Sequence, residues 1–275
     1  MGTRRVAVVG DMHVGSSVGL WDTFITPEGE PIVGTDATKI LGEYWEDYWE
    51  WARDVGYDTV FLMGDLCQGS NRKDAGRNLV TSNLDWQTAV AAEMLQPHVM
   101  GKIVHSVSGS AYHQGFETVL DEGVSRLLEP SCKSINHWGE MVNLEMEGTS
   151  KVLQLTHGAG SGTMYRESAM GRRILNIAIG VGNQKLARDI DLIVEAHLHA
   201  YHYVEDEQRG FLINPGWMLS FPWKPIIKSY GRTLPTIGAT VLEIDNRGIR
   251  VLIPHRNNGG RFYPYVPYYD EMRGG

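Results

Sequence analysis

Asp11 and His13 stand two residues apart, just past an apolar run that begins at Val6 and is closed by Gly10. In an extended chain the side chains at i and i+2 point the same way, so this carboxylate and imidazole would leave a strand end together. That pair suits a divalent metal. The arrangement is echoed along the chain: Gly64 is followed by Asp65, Gly109 by Ser110 and His113, His157 comes before Gly158, and His197 with His199 repeats the i, i+2 spacing. A single histidine is more often an ordinary hydrogen-bonded residue. Histidines that keep falling at strand ends point instead to one shared site. Carboxylates and imidazoles without a thiolate favour manganese, iron, zinc, nickel or cobalt over an all-oxygen magnesium or calcium cage.

The elements that must position these residues can be read from periodicity. Residues 4 to 10, 58 to 63, 102 to 107 and 192 to 194 are short, apolar and rich in β-branched residues, and they read as buried strands. Helical spacing predicts helices over 36–55, 84–100 and 119–128. The aromatic face of the first of these (Tyr44, Trp45, Tyr48, Trp49) is better explained by packing on a sheet than by base stacking. Alternation of strand and helix implies βαβ units and a largely parallel sheet, with function gathered at the carboxyl ends of the strands. Residues 141–147 and 152–156 read as paired strands, 210–214 as a further strand, and 239–254 as a hairpin turning at Asn246-Arg247-Gly248. The stretch 14–36 is a long loop or small hairpin of the kind that often carries function. Residues 164–188 are helix-like with a basic face, where Arg166, Arg172 and Arg173 could clamp a phosphate or simply face solvent.

The chain has 275 residues, is 42% hydrophobic and 21% charged, and carries a formal net charge of −8. These values predict one globular domain over 1–275, with an extended Tyr- and Pro-bearing tail from 260 to 275. The acidic balance argues against a broad electropositive face for long duplex DNA, although bound cations would reverse the local sign at an acidic site. Cys67 and Cys132 offer neither a disulfide framework nor a C-x-x-C pair, and no apolar run is long enough to span a bilayer. The expectation is a cytoplasmic protein with no membrane contact. Gly15-Ser16-Ser17-Val18-Gly19 matches the G-x-S-x-G of serine hydrolases, but Ser17 lacks the strand-turn-helix elbow. Gly180-Val181-Gly182 lacks the third glycine of a dinucleotide fingerprint.

Taken in order, Gly10-Asp11-Met12-His13, Gly64-Asp65, Gly109-Ser110-Ala111-Tyr112-His113, His157-Gly158 and Ala196-His197-Leu198-His199 resemble the five signatures of the calcineurin-like metallophosphoesterases. Those signatures are GD-x-H, GD, GNH followed by Asp or Glu, GH, and GH-x-H. The resemblance covers residues 6 to 216, including Asn214-Pro215-Gly216. It departs at the third signature, where Ser110 replaces the Asn and the histidine comes three residues later, a pattern similar to phage-type members. Ala196 in place of glycine is a milder change.

This resemblance implies an α/β fold, a four-layer αββα sandwich of two mixed β-sheets flanked by helices. It implies two divalent transition metals, manganese favoured. Asp11, His13 and His199 would hold one metal, His157 and His197 the other, and Asp65 would bridge them. A hydroxide between the metals would attack phosphorus in line. His113 would sit at the leaving oxygen as proton donor or electrostatic clamp. Ser110 would contact the substrate or the second metal. Apart from the resemblance, the basic face that follows His157 makes Arg166 the candidate for a substrate phosphate contact. The implied reaction is hydrolysis of a phosphodiester, small-molecule or nucleic acid, with a nuclease as the alternative. From another class comes a binding or scaffold protein that kept the fold and lost the chemistry.

Overall fold

Alternation within single strands sets the architecture. In β1 (Arg4–Val9), Ala7 and Val9 enter one core while Val6 and Val8 enter another. In β4 (Thr59–Leu62), Val60 and Leu62 face the first core, and Phe61, with Met63 just beyond, faces the second. A strand buried on both faces must lie inside a layered structure, because successive side chains point to opposite sides of a sheet. The computed structural model describes residues 2–21, 23–25, 29–70, 75–76, 79–114, 120–158, 170–172, 174–175, 189–206, 209–219 and 235–254. The predicted tail, from 260 onward, and most of the predicted 164–188 helix lie outside these residues.

The first sheet has six strands in the order β13, β12, β1, β4, β5 and β6. Its added members are β5 (Ile103–Val107), β6 (Ser134–Trp138), β12 (Thr240–Ile244) and β13 (Ile249–Leu252). Strands β1, β4, β5 and β6 run parallel, while β12 and β13 are antiparallel additions, so the sheet is mixed. The second sheet runs β10 (His202–Glu205), β11 (Gly210–Ile213), β9 (Leu192–Glu195), β8 (Val152–Thr156) and β7 (Met141–Glu145). Here β8, β9 and β11 are parallel, and β7 pairs antiparallel with β8, Met141 opposite Thr156. In the stretch from 14 to 36, β2 (Phe24–Ile25) and β3 (Pro31–Ile32) form a small hairpin.

Helices cover the outer face of the first sheet. Helix α1 (Asp36–Val55) is capped by the Thr35 side chain, which accepts the Thr38 N–H, and it stops at Gly56. It buries Leu41, Trp45, Tyr48, Trp49 and Ala52 against the sheet, and the Tyr48 hydroxyl donates to the Thr240 carbonyl at 3.0 Å. The aromatic spacing is therefore core packing. Helix α2 (Leu84–Val99) is capped by Asn83, and α3 (Ala111–Gln114) is a single turn before α4 (Leu120–Leu128). Between the sheets, Val6, Val8, Phe61, Leu155, Val194, Leu212 and Leu242 share one apolar core, each worth about 1.5–3 kcal/mol over exposure. Met170 and Ile174 pack on Ile193, Phe211 and Ile213, the opposite face of the second sheet. The result is two mixed sheets face to face with helices outside.

Strands β6 and β10 were not expected. Ser134-Ile135-Asn136-His137-Trp138 is mostly polar and partly exposed, as an edge strand permits, so it gives no apolar run to detect. β10 is the opposite edge of the second sheet and is likewise only half-buried.

Candidate metal centre

The carboxyl ends of β1, β4, β5, β8 and β9 open on one rim between the two sheets, and each delivers part of the constellation. The sequence reading of Asp11 and His13 as an extended i, i+2 pair needs correction. β1 stops at Val9, and Asp11 and His13 have left-handed backbones with φ of 52° and 51°. Asp65, His197 and His199 do the same, at 48°, 78° and 47°. Such conformations cost of order 1–3 kcal/mol each and gather where function requires them. The turns are held by backbone bonds between loops, Asp11 N–H to the Gly64 carbonyl at 2.9 Å and His13 N–H to the Asp65 carbonyl at 3.0 Å. Trp217 N–H donates to the Asp11 carbonyl at 2.9 Å. The Asn214 amide donates to the Val8 carbonyl at 3.2 Å and its oxygen accepts from Thr240, tying the end of β11 to the first sheet.

Within this frame Asp11 Oδ1 is fully buried and makes no hydrogen bond. Around it lie His199 Nε2 at 3.5 Å, His13 Nε2 at 3.8 Å and His157 Nε2 at 3.9 Å. Two ligands of one cation, each about 2.1 Å from it, stand about 3 to 3.5 Å apart. The buried oxygen and its surrounding imidazoles therefore fit a divalent cation. The other oxygen, Oδ2, is fixed by the His197 N–H at 2.8 Å.

Asp65 is the second focus. Its Oδ2 faces His157 Nε2 at 2.8 Å, His197 Nδ1 at 3.8 Å and His113 Nε2 at 4.0 Å. Its Oδ1 accepts the Ser110 N–H at 2.8 Å, and the Ser110 hydroxyl lies 3.1 Å from Oδ2. His157 donates Nδ1–H to the Met63 carbonyl at 2.5 Å, and His113 donates Nδ1–H to the Gln68 carbonyl at 2.7 Å. Both rings thus turn Nε2 toward the carboxylates, the arrangement that orients metal-ligating imidazoles. Among the described residues, three groups could each hold a cation: Asp11, His13 and His199; Asp65, His157 and His197; and His13, Asp65 and His113.

The electrostatics follow from charges held close together under cover. Burial opposes ionisation of Asp11, but His199, His157 and His13 outweigh it and bring its carboxyl down to about 2. Burial likewise opposes ionisation of Asp65, and His157 leads the group that holds it well below the usual carboxylate range. Burial works against a charged His157, yet Asp65 and Asp11 raise it to about 10. His13 is depressed by burial and by neighbouring His113 and His199.

Sequence reasoning missed Asp121. This carboxylate from the first turn of α4 is completely buried and accepts N–H groups from Asp65, Leu66 and Gly109 at 3.1, 3.0 and 2.7 Å. Burial and nearby Asp65 push it up to about 7, although three N–H donors on its two oxygens suit the ionised form. It lies 12 residues beyond Gly109, with no motif to mark it. Arg166 and Arg173 lie outside the described residues, and Arg172 is exposed. His202 lies on β10, where it pairs with Ile213, and belongs to none of the three groups. Among the described residues, no helix is long and apolar enough to cross a membrane.

No protein-family model matches the chain, and no curated protein matches its sequence. Among solved structures, an archaeal phosphodiesterase is 12% identical, with 91% of this chain and 99% of that one covered at a TM-score of 0.45. A predicted phosphoesterase from Streptococcus pneumoniae is 12% identical, with 91% and 88% covered at a TM-score of 0.40. Wild-type Vps29 from Entamoeba histolytica, solved in complex with zinc, is 15% identical, with 90% and 89% covered at a TM-score of 0.39.

Proposed function

We propose that this chain is a metal-dependent phosphoester hydrolase that prefers phosphodiesters and works with two divalent cations, manganese favoured. The observation that carries the reading is the buried, unbonded Asp11 Oδ1 surrounded by three imidazole nitrogens, next to a second carboxylate, Asp65, with its own imidazoles. In this reading Asp11, His13 and His199 would hold one cation, His157 and His197 would hold the other, and Asp65 would serve both. The cations, when bound, lower the pKa of water and neutralise charge building on the phosphoryl oxygens.

The chain's own residues do the rest. The left-handed turns fix the ligands before substrate arrives, so their strain is met in folding rather than during the reaction. His197, with 43% of its side chain exposed, lies on the open side of the rim, where a phosphate can approach. His113, anchored through Gln68, presents Nε2 to that space and carries a proton to the leaving oxygen when both ring nitrogens are protonated. Ser110 holds Asp65 in place and lies close enough to the rim to touch a phosphoryl oxygen, while Arg166 keeps only the expectation, from the sequence, of a phosphate contact.

The test is turnover of bis-p-nitrophenyl phosphate by purified protein loaded with manganese, compared with iron, zinc, nickel and cobalt. Hydrolysis that chelator abolishes and metal restores is the expected result. A folded protein inert with every one of these metals leaves the scaffold reading, which the missing Asn of the third signature favours. Single-stranded DNA, duplex DNA and cyclic dinucleotides assayed side by side separate a nuclease from a small-molecule esterase.

A further inference from the structure

Asp121 holds two of the loops that carry the assigned side chains, and it does so through their backbone N–H groups. Its Oδ2 accepts N–H groups from both Asp65 and Gly109, and its Oδ1 accepts that of Leu66. One carboxylate thereby joins the end of β4 to the end of β5. Hydrogen bonds from N–H groups to a carboxylate are roughly twice as strong as neutral ones. The loops it joins are pressed together, since a Cβ on Gly64 would lie 2.5 Å from the Gly109 nitrogen. Helix α4 is itself anchored by buried Leu120, Val124 and Leu128, and the Ser125 hydroxyl donates to the Asp121 carbonyl at 2.9 Å.

The consequence falls on the orientation of Asp65. Ser110, next to Gly109, places its N–H on Asp65 Oδ1 at 2.8 Å, which turns Oδ2 toward His157, His197 and His113. If the β5 loop shifted, Oδ2 would rotate away from the imidazoles. We infer that Asp121 is a positioning residue that sets the shared carboxylate, Asp65, by clamping the β4 and β5 loops from a third element. The inference rests on the hydrolase reading of the site.

The experiment compares parent, Asp121→Asn, Asp121→Glu and Ser125→Ala as full-length protein. It measures manganese dissociation constants by calorimetry, kcat and KM on bis-p-nitrophenyl phosphate, and melting temperature. In Asp121→Asn the amide group must face at least one of the three N–H donors. Manganese affinity and kcat are expected to fall about 10–100-fold, as for other partners that orient ligands, with KM changing by less than about threefold. Asp121→Glu keeps the charge but displaces the loops by one methylene, and it is expected to lose part of both while staying folded. Ser125→Ala loosens the same helix turn but leaves the three N–H bonds of Asp121 in place, so it should lower the melting temperature and leave manganese affinity at the parental value. Parental affinity and kcat in Asp121→Glu, or in a folded Asp121→Asn, overturn the inference and leave the hydrolase reading standing. A parent that binds no manganese and turns over nothing overturns both.

Discussion

His13 Nε2 lies 3.1 Å from His199 Nε2, although 186 residues separate them in the chain. Two imidazole nitrogens at that distance need a proton or a cation between them, because two facing lone pairs repel. Asp11 Oδ1, at 3.8 and 3.5 Å, completes the triangle. His199→Ala and Asp11→Asn are therefore expected to lower bound manganese from two ions per chain to one after dialysis. Activity should fall by at least the 10–100-fold seen when groups that only orient ligands are lost. Elemental analysis of the dialysed variants checks the stoichiometry.

Glycines give the second prediction, because space distinguishes two of them. A Cβ on Gly109 would lie 2.1 Å from Asp65 Oδ1 and 2.3 Å from the Asp65 nitrogen. Gly109→Ala should cost at least about 1–3 kcal/mol as overpacking and should displace Asp65. Gly42 lies within α1 with nothing within 4 Å of its added Cβ. Gly42→Ala should stabilise by about 0.5–1 kcal/mol through helix propensity. Denaturant unfolding of the pair should give opposite signs, and manganese binding should be lost only in the Gly109 variant.

These glycines also show what the sequence made legible. The apolar runs ending at Gly10 and Gly64 marked β1 and β4 because buried parallel strands have no polar positions to blur them. The residues after them marked the site because Asp and His rarely recur at such stops by chance. The route by which they converge was not legible. A left-handed Asp11 or His199 looks the same in sequence as an extended one, and only packing between loops selects the turn. Asp121, and the carbonyls of Met63 and Gln68 that aim His157 and His113, act through backbone groups that every residue carries. No residue type announces them. Edge strands β6 and β10 were hidden by their half-polar faces.

Acid sensitivity gives a prediction away from the rim. His98 stacks on Trp49 with ring centroids 4.2 Å apart and planes 3° from parallel, and its Nδ1 is buried without a hydrogen bond. Burial, helped by Arg53, lowers it from 6.5 to about 4. The unfolded chain binds this proton more readily, so His98 contributes stability that is fully present above pH 6.5 and is lost as pH falls toward 4. In His98→Phe the ring stays and the titration goes. The difference in melting temperature between parent and variant should therefore change across that window and stay level above it. A constant difference from pH 4 to 7 would sink this account of His98.

Leaving-group dependence isolates the role of His113. Its Nδ1–H is committed to the Gln68 carbonyl at 2.7 Å, so only Nε2 can exchange a proton with substrate, from a position 4.0 Å from Asp65 Oδ2. A p-nitrophenolate departs without needing a proton, whereas an alkoxide does not. His113→Ala should therefore slow cleavage of an alkyl phosphodiester by about 10²–10⁴-fold. Cleavage of bis-p-nitrophenyl phosphate should fall far less. Equal losses on both substrates would mean that His113 acts as an electrostatic clamp on the phosphoryl oxygens, because charge stabilisation does not depend on which group leaves. Bound manganese measured in the same variant separates either outcome from loss of a ligand: it should remain at the parental value, since neither role requires His113 to hold a cation.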